Sequence, residues 1–121
     1  MHRIMLKSKI HRARVTATRV DYEGSLAIDE YLLTAADILP GEQVWVLNMR
    51  NGERFITYAI KGRKGSGEIC LNGPAAHLGE VDDEILVLSF SGVEEKMAKK
   101  WKPRIVFVDP KNRIVKAGGG K

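Results

Sequence analysis

Hydrophobic and polar residues alternate over much of this chain, and the apolar runs are too short for long helices. Over residues 10–20, Ala13, Val15 and Ala17 fall on one face, with Arg12, Arg14, Thr16 and Thr18 on the other. A period of two predicts a half-buried strand. Tyr22-Glu23-Gly24-Ser25 then reads as a tight connection. The spacing changes at Asp29, which can cap a short helix over residues 30–37 whose buried stripe is Leu32, Leu33 and Ala36. Pro40-Gly41 ends that helix in a turn. Strands are expected over 43–49 and 53–60, joined at Asn51-Gly52, the dipeptide that tight hairpins favour. A Gly- and Lys-rich loop over 61–67 precedes strands over 68–72 and 85–90, with a connection over 73–83 between them. Residues 93–101 read as a second short helix stopped before Pro103, and 104–108 with 113–117 as a closing pair around Pro110-Lys111-Asn112. Residues 118–121 read as a flexible tail. Many short strands with two small helices predict a mainly β single domain, a compact barrel that hides its edges. Periodicity alone does not choose among barrels.

Composition narrows the class. A chain of 121 residues, 44% hydrophobic, supports one soluble core. No stretch reaches the roughly 18 apolar residues a membrane helix needs, so no membrane partner is expected. The basic N-terminus lacks the apolar segment of a secretory signal. Cys70 is the single cysteine, which excludes an internal disulfide and fits a reducing, cytoplasmic setting. Twenty Lys+Arg against fifteen Asp+Glu give a net charge of +5. That surplus suits a small anionic substrate, a solubility surface or nucleic acid. The basic residues are scattered and the aromatics too sparse to interleave with them as stacking platforms, so nucleic acid is the weaker reading. No Cys/His/carboxylate spacing suggests a metal.

Four patches carry the candidate chemistry: Lys9-Ile10-His11-Arg12, Tyr22-Glu23-Gly24-Ser25, residues 51–58 (NGERFITY) and Asn72-Gly73-Pro74-Ala75-Ala76-His77. A Gly-Ser pair alone is usually a turn, and an isolated tyrosine is usually a packed strand aromatic. Taken together the set resembles the aspartate 1-decarboxylase family, over nearly the whole chain and fading after Asp109. The resemblance implies a double-psi β-barrel, assembled as a homotetramer with sites between subunits. It also implies a zymogen that cuts itself at Gly24-Ser25 into a β chain, 1–24, and an α chain, 25–121. Ser25 becomes a pyruvoyl group, which replaces pyridoxal phosphate and forms a Schiff base with L-aspartate. The products are β-alanine and CO2, for pantothenate and coenzyme A synthesis. A separate maturation protein is a further partner the resemblance leaves room for.

Self-cleavage requires the Ser25 hydroxyl to attack the Gly24 carbonyl, and glycine there would permit a positive φ and a distorted turn. Strain of that kind stores roughly 1–3 kcal/mol, so an oxyanion donor must add roughly another 3 kcal/mol. Thr57 matches the family residue for this assistance and also for substrate contact, and Tyr58 matches its proton donor. Arg54 can grip a carboxylate bidentately. Lys9 and His11, two apart on one strand face, match further substrate-binding positions. Asn72, with Gly73, Pro74 and Ala75, would let amide groups approach the substrate. Pro74 stands where the family pattern has alanine and removes one backbone N–H. Leu47 stands where an aromatic residue is usual, with Trp45 two positions away. Arg54 and Tyr58 share one strand face while Thr57 points to the other; a bulge, a twist or two sites in an oligomer would each reconcile them. A decarboxylase for another amino acid and a basic nucleic-acid-binding barrel are the competing readings.

Overall fold

The computed structural model describes residues 1–119. Its elements are β1 (His2–Arg14), β2 (Ala17–Arg19), β3 (Ser25–Asp29), α1 (Glu30–Ala36), β4 (Gln43–Asn48) and β5 (Arg54–Gly62). They continue with β6 (Ile69–Asn72), a 3-10 helix (Gly73–His77), β7 (Glu84–Glu94), α2 (Glu95–Ala98), β8 (Arg104–Val108) and β9 (Ile114–Gly119). The strands join in the order β2-β6-β3-β5-β4-β7-β1-β8-β9. Most neighbours are antiparallel, but β1–β8, β2–β6 and β3–β5 are parallel. One core is shared by strands from both ends of this order: Ile10, Leu26, Ile28, Val44, Val46, Ile69, Leu71, Ile85, Val87 and Val106 are all buried. A sheet that surrounds a single core must curl. The mainly β, single-domain expectation holds, and among the described residues no helix is long and apolar enough to cross a membrane.

Several expected boundaries move, each for a local reason. The strand expected from residue 10 begins at His2, because β1 runs antiparallel to β7 from His2↔Glu94 onward. Its first half hides its pattern. Ser8 points inward, where its hydroxyl meets that of Ser89 at 2.5 Å, while Ile4 points outward at 81% exposure. The same strand does not run on to residue 20. Arg12 adopts φ 67°, the pairing with β7 shifts between Ile10 and Ala13, and Thr16 leaves the ladder to bond Ile69 through its hydroxyl. Val93 and Glu94 finish β7 rather than opening a helix, so α2 keeps only Glu95–Ala98. Lys61 and Gly62 extend β5. Gly118 and Gly119, expected in a flexible tail, pair with Ile105 and Arg104; residues 120–121 lie outside the described residues.

Two buried polar side chains tie the connections together. Asp29 caps α1 as expected, accepting from the Tyr31 amide at 2.9 Å, and it also accepts from the amides of Gly65 and Gly67. Asn112, itself at φ 62°, donates to the carbonyls of Arg14 and Gly67 and accepts from the Arg14 amide. It thereby pins the β8–β9 turn to the end of β1. Buried amides without such partners would be costly.

Candidate functional site

Ser25 opens β3 at 1% exposure and faces Asn72 of β6 in antiparallel register. The Asn72 side-chain amide donates to Ser25 Oγ at 2.9 Å. Its Oδ1 accepts in turn from Cys70 Sγ at 3.2 Å. Leu26, Ile28 and Leu71 belong to the core cluster, so by alternation Ser25, Cys70 and Asn72 occupy the opposite face of these strands. Cys70 escapes a reading that weighs only cysteine count; its i, i+2 spacing from Asn72 on a strand is the signal that finds it. Burial pushes the Cys70 thiol up from its ordinary pKa, so the sulfur keeps the proton it donates.

The Gly24–Ser25 pair departs from expectation in its backbone. Positive φ occurs at Gly73, at 64°, and Gly24 is not among the residues with positive φ. The left-handed residue therefore sits across from the proposed cleavage point, not within it. A Cβ on Gly73 would lie 2.6 Å from the Tyr22 carbonyl oxygen and 2.9 Å from both N and Cα of Gly24. A Cβ on Gly24 would meet only Pro74 Cδ, at an ordinary 3.6 Å. Pro74 is exposed, whereas Gly73 and Ala75 are buried, and Ala75 belongs to the core cluster.

The remaining candidates lie along the outer face of the sheet. The register Lys9↔Leu88, Leu88↔Trp45 and Trp45↔Ile56 crosses β1, β7, β4 and β5 as one row. Partners across a ladder share a face. Lys9 is thus on the same face as Arg54, Ile56 and Tyr58, three strand spacings away, or roughly 14 Å. Neither Lys9 nor Arg54 makes an ion pair among the described residues. On the other side of β5, Leu26 pairs with Ala59. Carrying that register back one step brings Ser25 beside Tyr58, about 4.8 Å from strand to strand. Tyr58 is 40% exposed. Leu47, paired with Arg54, is half-buried, and Trp45 packs edge-on to Phe90 instead.

Thr57 points the other way. It pairs with the core residue Val44, and the β4–β5 register runs from Gln43↔Tyr58 to Leu47↔Arg54 without a shift. A bulge in β5 therefore does not bring Thr57 round to Arg54 and Tyr58. His11 is half-buried against Phe107, ring centroids 5.4 Å apart, and its Nδ1 has no hydrogen-bond partner among the described residues. Its pKa is pushed below the ordinary value by burial, then by Lys9 and Arg12, with Glu84 opposing. These surroundings favour the neutral imidazole over the charged one. One chain therefore brings together Ser25, Asn72, Gly24, Gly73, Pro74 and Tyr58, and leaves Lys9 and His11 on strands remote from them.

The site is thus a buried serine hydroxyl held by an asparagine amide in a mainly β single domain. The family described as Aspartate decarboxylase matches residues 1–115. The chain is 52% identical over 115 residues to the Aspartate 1-decarboxylase of Thermoanaerobacter pseudethanolicus, covering 95% of this chain and 98% of that protein. It is 54% identical over 114 residues to the one from Syntrophus aciditrophicus, covering 94% and 98%. With the one from Paraburkholderia phymatum, it shares 55% over 115 residues, covering 94% and 90%. The chain belongs to the aspartate decarboxylase family. The resemblance carried by the four sequence patches is borne out, and with it membership of a family of carboxy-lyases.

Proposed function

We propose that this protein converts L-aspartate to β-alanine and CO2 on a pyruvoyl group made from its own Ser25. Family membership supports the reaction, and the observation that carries the site is the Ser25 hydroxyl, buried and held at 2.9 Å by Asn72 immediately after Gly24. The residues fit the group, because the side chain that would become it has a defined position and an amide donor already directed at it. When formed, a pyruvoyl group supplies a ketone that captures the substrate amine and a carbonyl that takes up the electrons of the departing carboxylate.

The chain's own residues do the rest. Asn72 steadies Ser25 Oγ for attack on the Gly24 carbonyl. The resulting ester eliminates, freeing the Gly24 carboxylate as the end of β chain 1–24, and water displaces the terminal nitrogen as ammonia to leave α chain 25–121 with its pyruvoyl terminus. Tyr58, on the strand beside Ser25, returns a proton to the substrate carbon. Arg54 grips a substrate carboxylate, and Lys9 adds a second positive charge. Lys9 stands on β1, four places from β3 in the strand order, and so lies away from the Ser25 of its own chain. Contributions from two copies account for this, with Lys9 and His11 meeting a neighbour's Ser25 in a homotetramer of double-psi β-barrels. Thr57, matched to self-processing and substrate contact by the family resemblance, faces the core of its own chain. The exposed Ile4, Ile56, Tyr58 and Phe90 beside Trp45 supply an apolar outer face suited to such contacts. Gly73, Pro74 and Ala75 border the substrate; the missing N–H of Pro74 leaves any backbone donation to its neighbours. The setting is the cytoplasm and the product feeds pantothenate synthesis.

Two variants test this. Ser25→Ala is expected to remain one uncut chain and to form no β-alanine; β-alanine formation by that variant would refute the cofactor assignment. Arg54→Ala is expected to weaken aspartate turnover at least tenfold. Faster turnover of glutamate or histidine than of aspartate by the parent protein would overturn the substrate.

A further inference from the structure

The proposed cleavage brings two atoms together, Ser25 Oγ and the carbonyl carbon of Gly24. Asn72 holds the first through its side chain. The next residue along the chain, Gly73, lies against the residue that carries the second. Because β3 and β6 are antiparallel, one step forward from Asn72 matches one step back from Ser25. Gly73 turns left-handed at that step, with φ 64°, and a Cβ there would stand within 2.6–2.9 Å of Tyr22 and Gly24 backbone atoms. Contacts under 3.0 Å to backbone cannot be relieved by rotating a side chain. Gly24 itself has neither feature, since its own Cβ would find ordinary space.

We infer that Gly73 is a positioning residue for self-cleavage: its bare Cα is the surface against which the Gly24 backbone is set for attack by Ser25. The inference rests on the reading of Gly24–Ser25 as a self-cleaved bond and adds what fixes its geometry. In the step concerned, a bond forms between Ser25 Oγ and the Gly24 carbonyl carbon. The Gly24 C–Ser25 N bond breaks, and the hydroxyl proton ends on the freed amine. The step is an isomerisation and needs no co-reactant. Gly73 acts in it by exclusion. Any side chain there drives the Tyr22–Gly24 segment outward, while Asn72 keeps Ser25 Oγ in place, so the two reacting atoms separate.

Opening contacts of 2.6 and 2.9 Å to van der Waals distance moves the Gly24 backbone by a large fraction of an ångström. Misplacement of order 1 Å slows such reactions about 100-fold. The test is a time course of the uncut fraction by intact mass, for the full chain and three variants. Gly73→Ala introduces both the clash and the cost of a left-handed alanine. Gly73→Asn carries the same Cβ but adopts that backbone readily. Gly41→Ala introduces only the backbone cost, because Gly41 has φ 90° and nothing within 4 Å of its Cβ position. Both Gly73 variants are expected to cleave about 100-fold slower than the parent, with Gly41→Ala cleaving at the parent rate. Thermal unfolding of the uncut Gly73→Asn chain is expected to match that of uncut Ser25→Ala, so that slow cleavage is not the result of a lost fold. Parent-like cleavage of folded Gly73→Asn would overturn the inference, as would equal slowing by Gly41→Ala. If neither Gly73 variant folds, the glycine serves the fold at large and the inference falls. Failure of the parent chain to cleave would instead remove the underlying reading.

Discussion

At the scale of single residues, the site is a set of buried polar side chains that hold one another. Cys70 donates to Asn72, which donates to Ser25, so the amide that meets the nucleophile is oriented by a thiol. Replacing Cys70 with serine keeps a donor at that position, whereas alanine removes it. Cys70→Ser is therefore expected to self-cleave near the parent rate and Cys70→Ala several-fold slower, read by intact mass; equal rates would show that the Asn72 amide needs no such support. A second polar cluster governs acid stability. The Arg50 guanidinium, 2.6 Å away, holds the Asp83 carboxyl well below the usual carboxylate range, with help from Asn48 and the Glu80 amide against the cost of burial. A depressed folded pKa means that the stability from Asp83 is full above its unfolded value near 3.9 and is lost as pH falls through the folded one. Asp83→Asn is expected to cost about 1.5–3 kcal/mol at pH 7, in denaturant titrations, with the gap to the parent closing below about pH 3. Sequence reveals residues of this kind unevenly. Ser25, Asn72 and Tyr58 stand out through their motifs and Cys70 through its i, i+2 spacing from Asn72, but Asp83 and Asn112 act through partners distant in the chain, which no local spacing displays.

At the scale of elements, legibility follows burial pattern. α1, β4, β5 and the Asn51-Gly52 hairpin are readable because each has one wet and one dry face, and their boundaries fall within a few residues of expectation. β3 is buried at every position, so Ser25–Asp29 shows no alternation to mark a strand; from sequence only its ends are readable, Ser25 as the close of a connection and Asp29 as a helix cap. The first half of β1 inverts the rule by turning Ser8 inward and Ile4 outward, and β7 absorbs the start of the expected second helix because β1 offers it a partner through Glu94. Gly24 illustrates the same limit within the site. A glycine at a cleavage point suggests a left-handed backbone, but the left-handed glycine is Gly73 on the opposing element. Asp29 joins α1 to the loop before β6 by accepting three amide hydrogen bonds. Asp29→Ala is thus expected to destabilise the fold by about 2 kcal/mol, measured by thermal or chemical unfolding. A change within a few tenths of a kcal/mol would mean that those amides find water instead.

At the scale of the whole molecule, the sheet presents its chemistry on an exposed face and leaves it incomplete. Lys9 and Arg54 make no ion pair among the described residues and stand on strands separated by β4 and β7, and Thr57 turns toward the core. On the proposed reading, a second copy of the chain supplies the missing side. Charge introduced in the apolar stripe, as in Ile56→Asp, is expected to shift the protein to smaller species in sedimentation or light scattering and to lower aspartate turnover with it. Full activity from a monomer would contradict shared sites. The most direct test of the central claim is the intact mass of the purified chain, followed beside β-alanine formation. The account predicts two fragments meeting between residues 24 and 25, the larger beginning with a keto-acyl terminus, and activity that rises with their appearance. A single uncut polypeptide that turns over aspartate at full rate would contradict it.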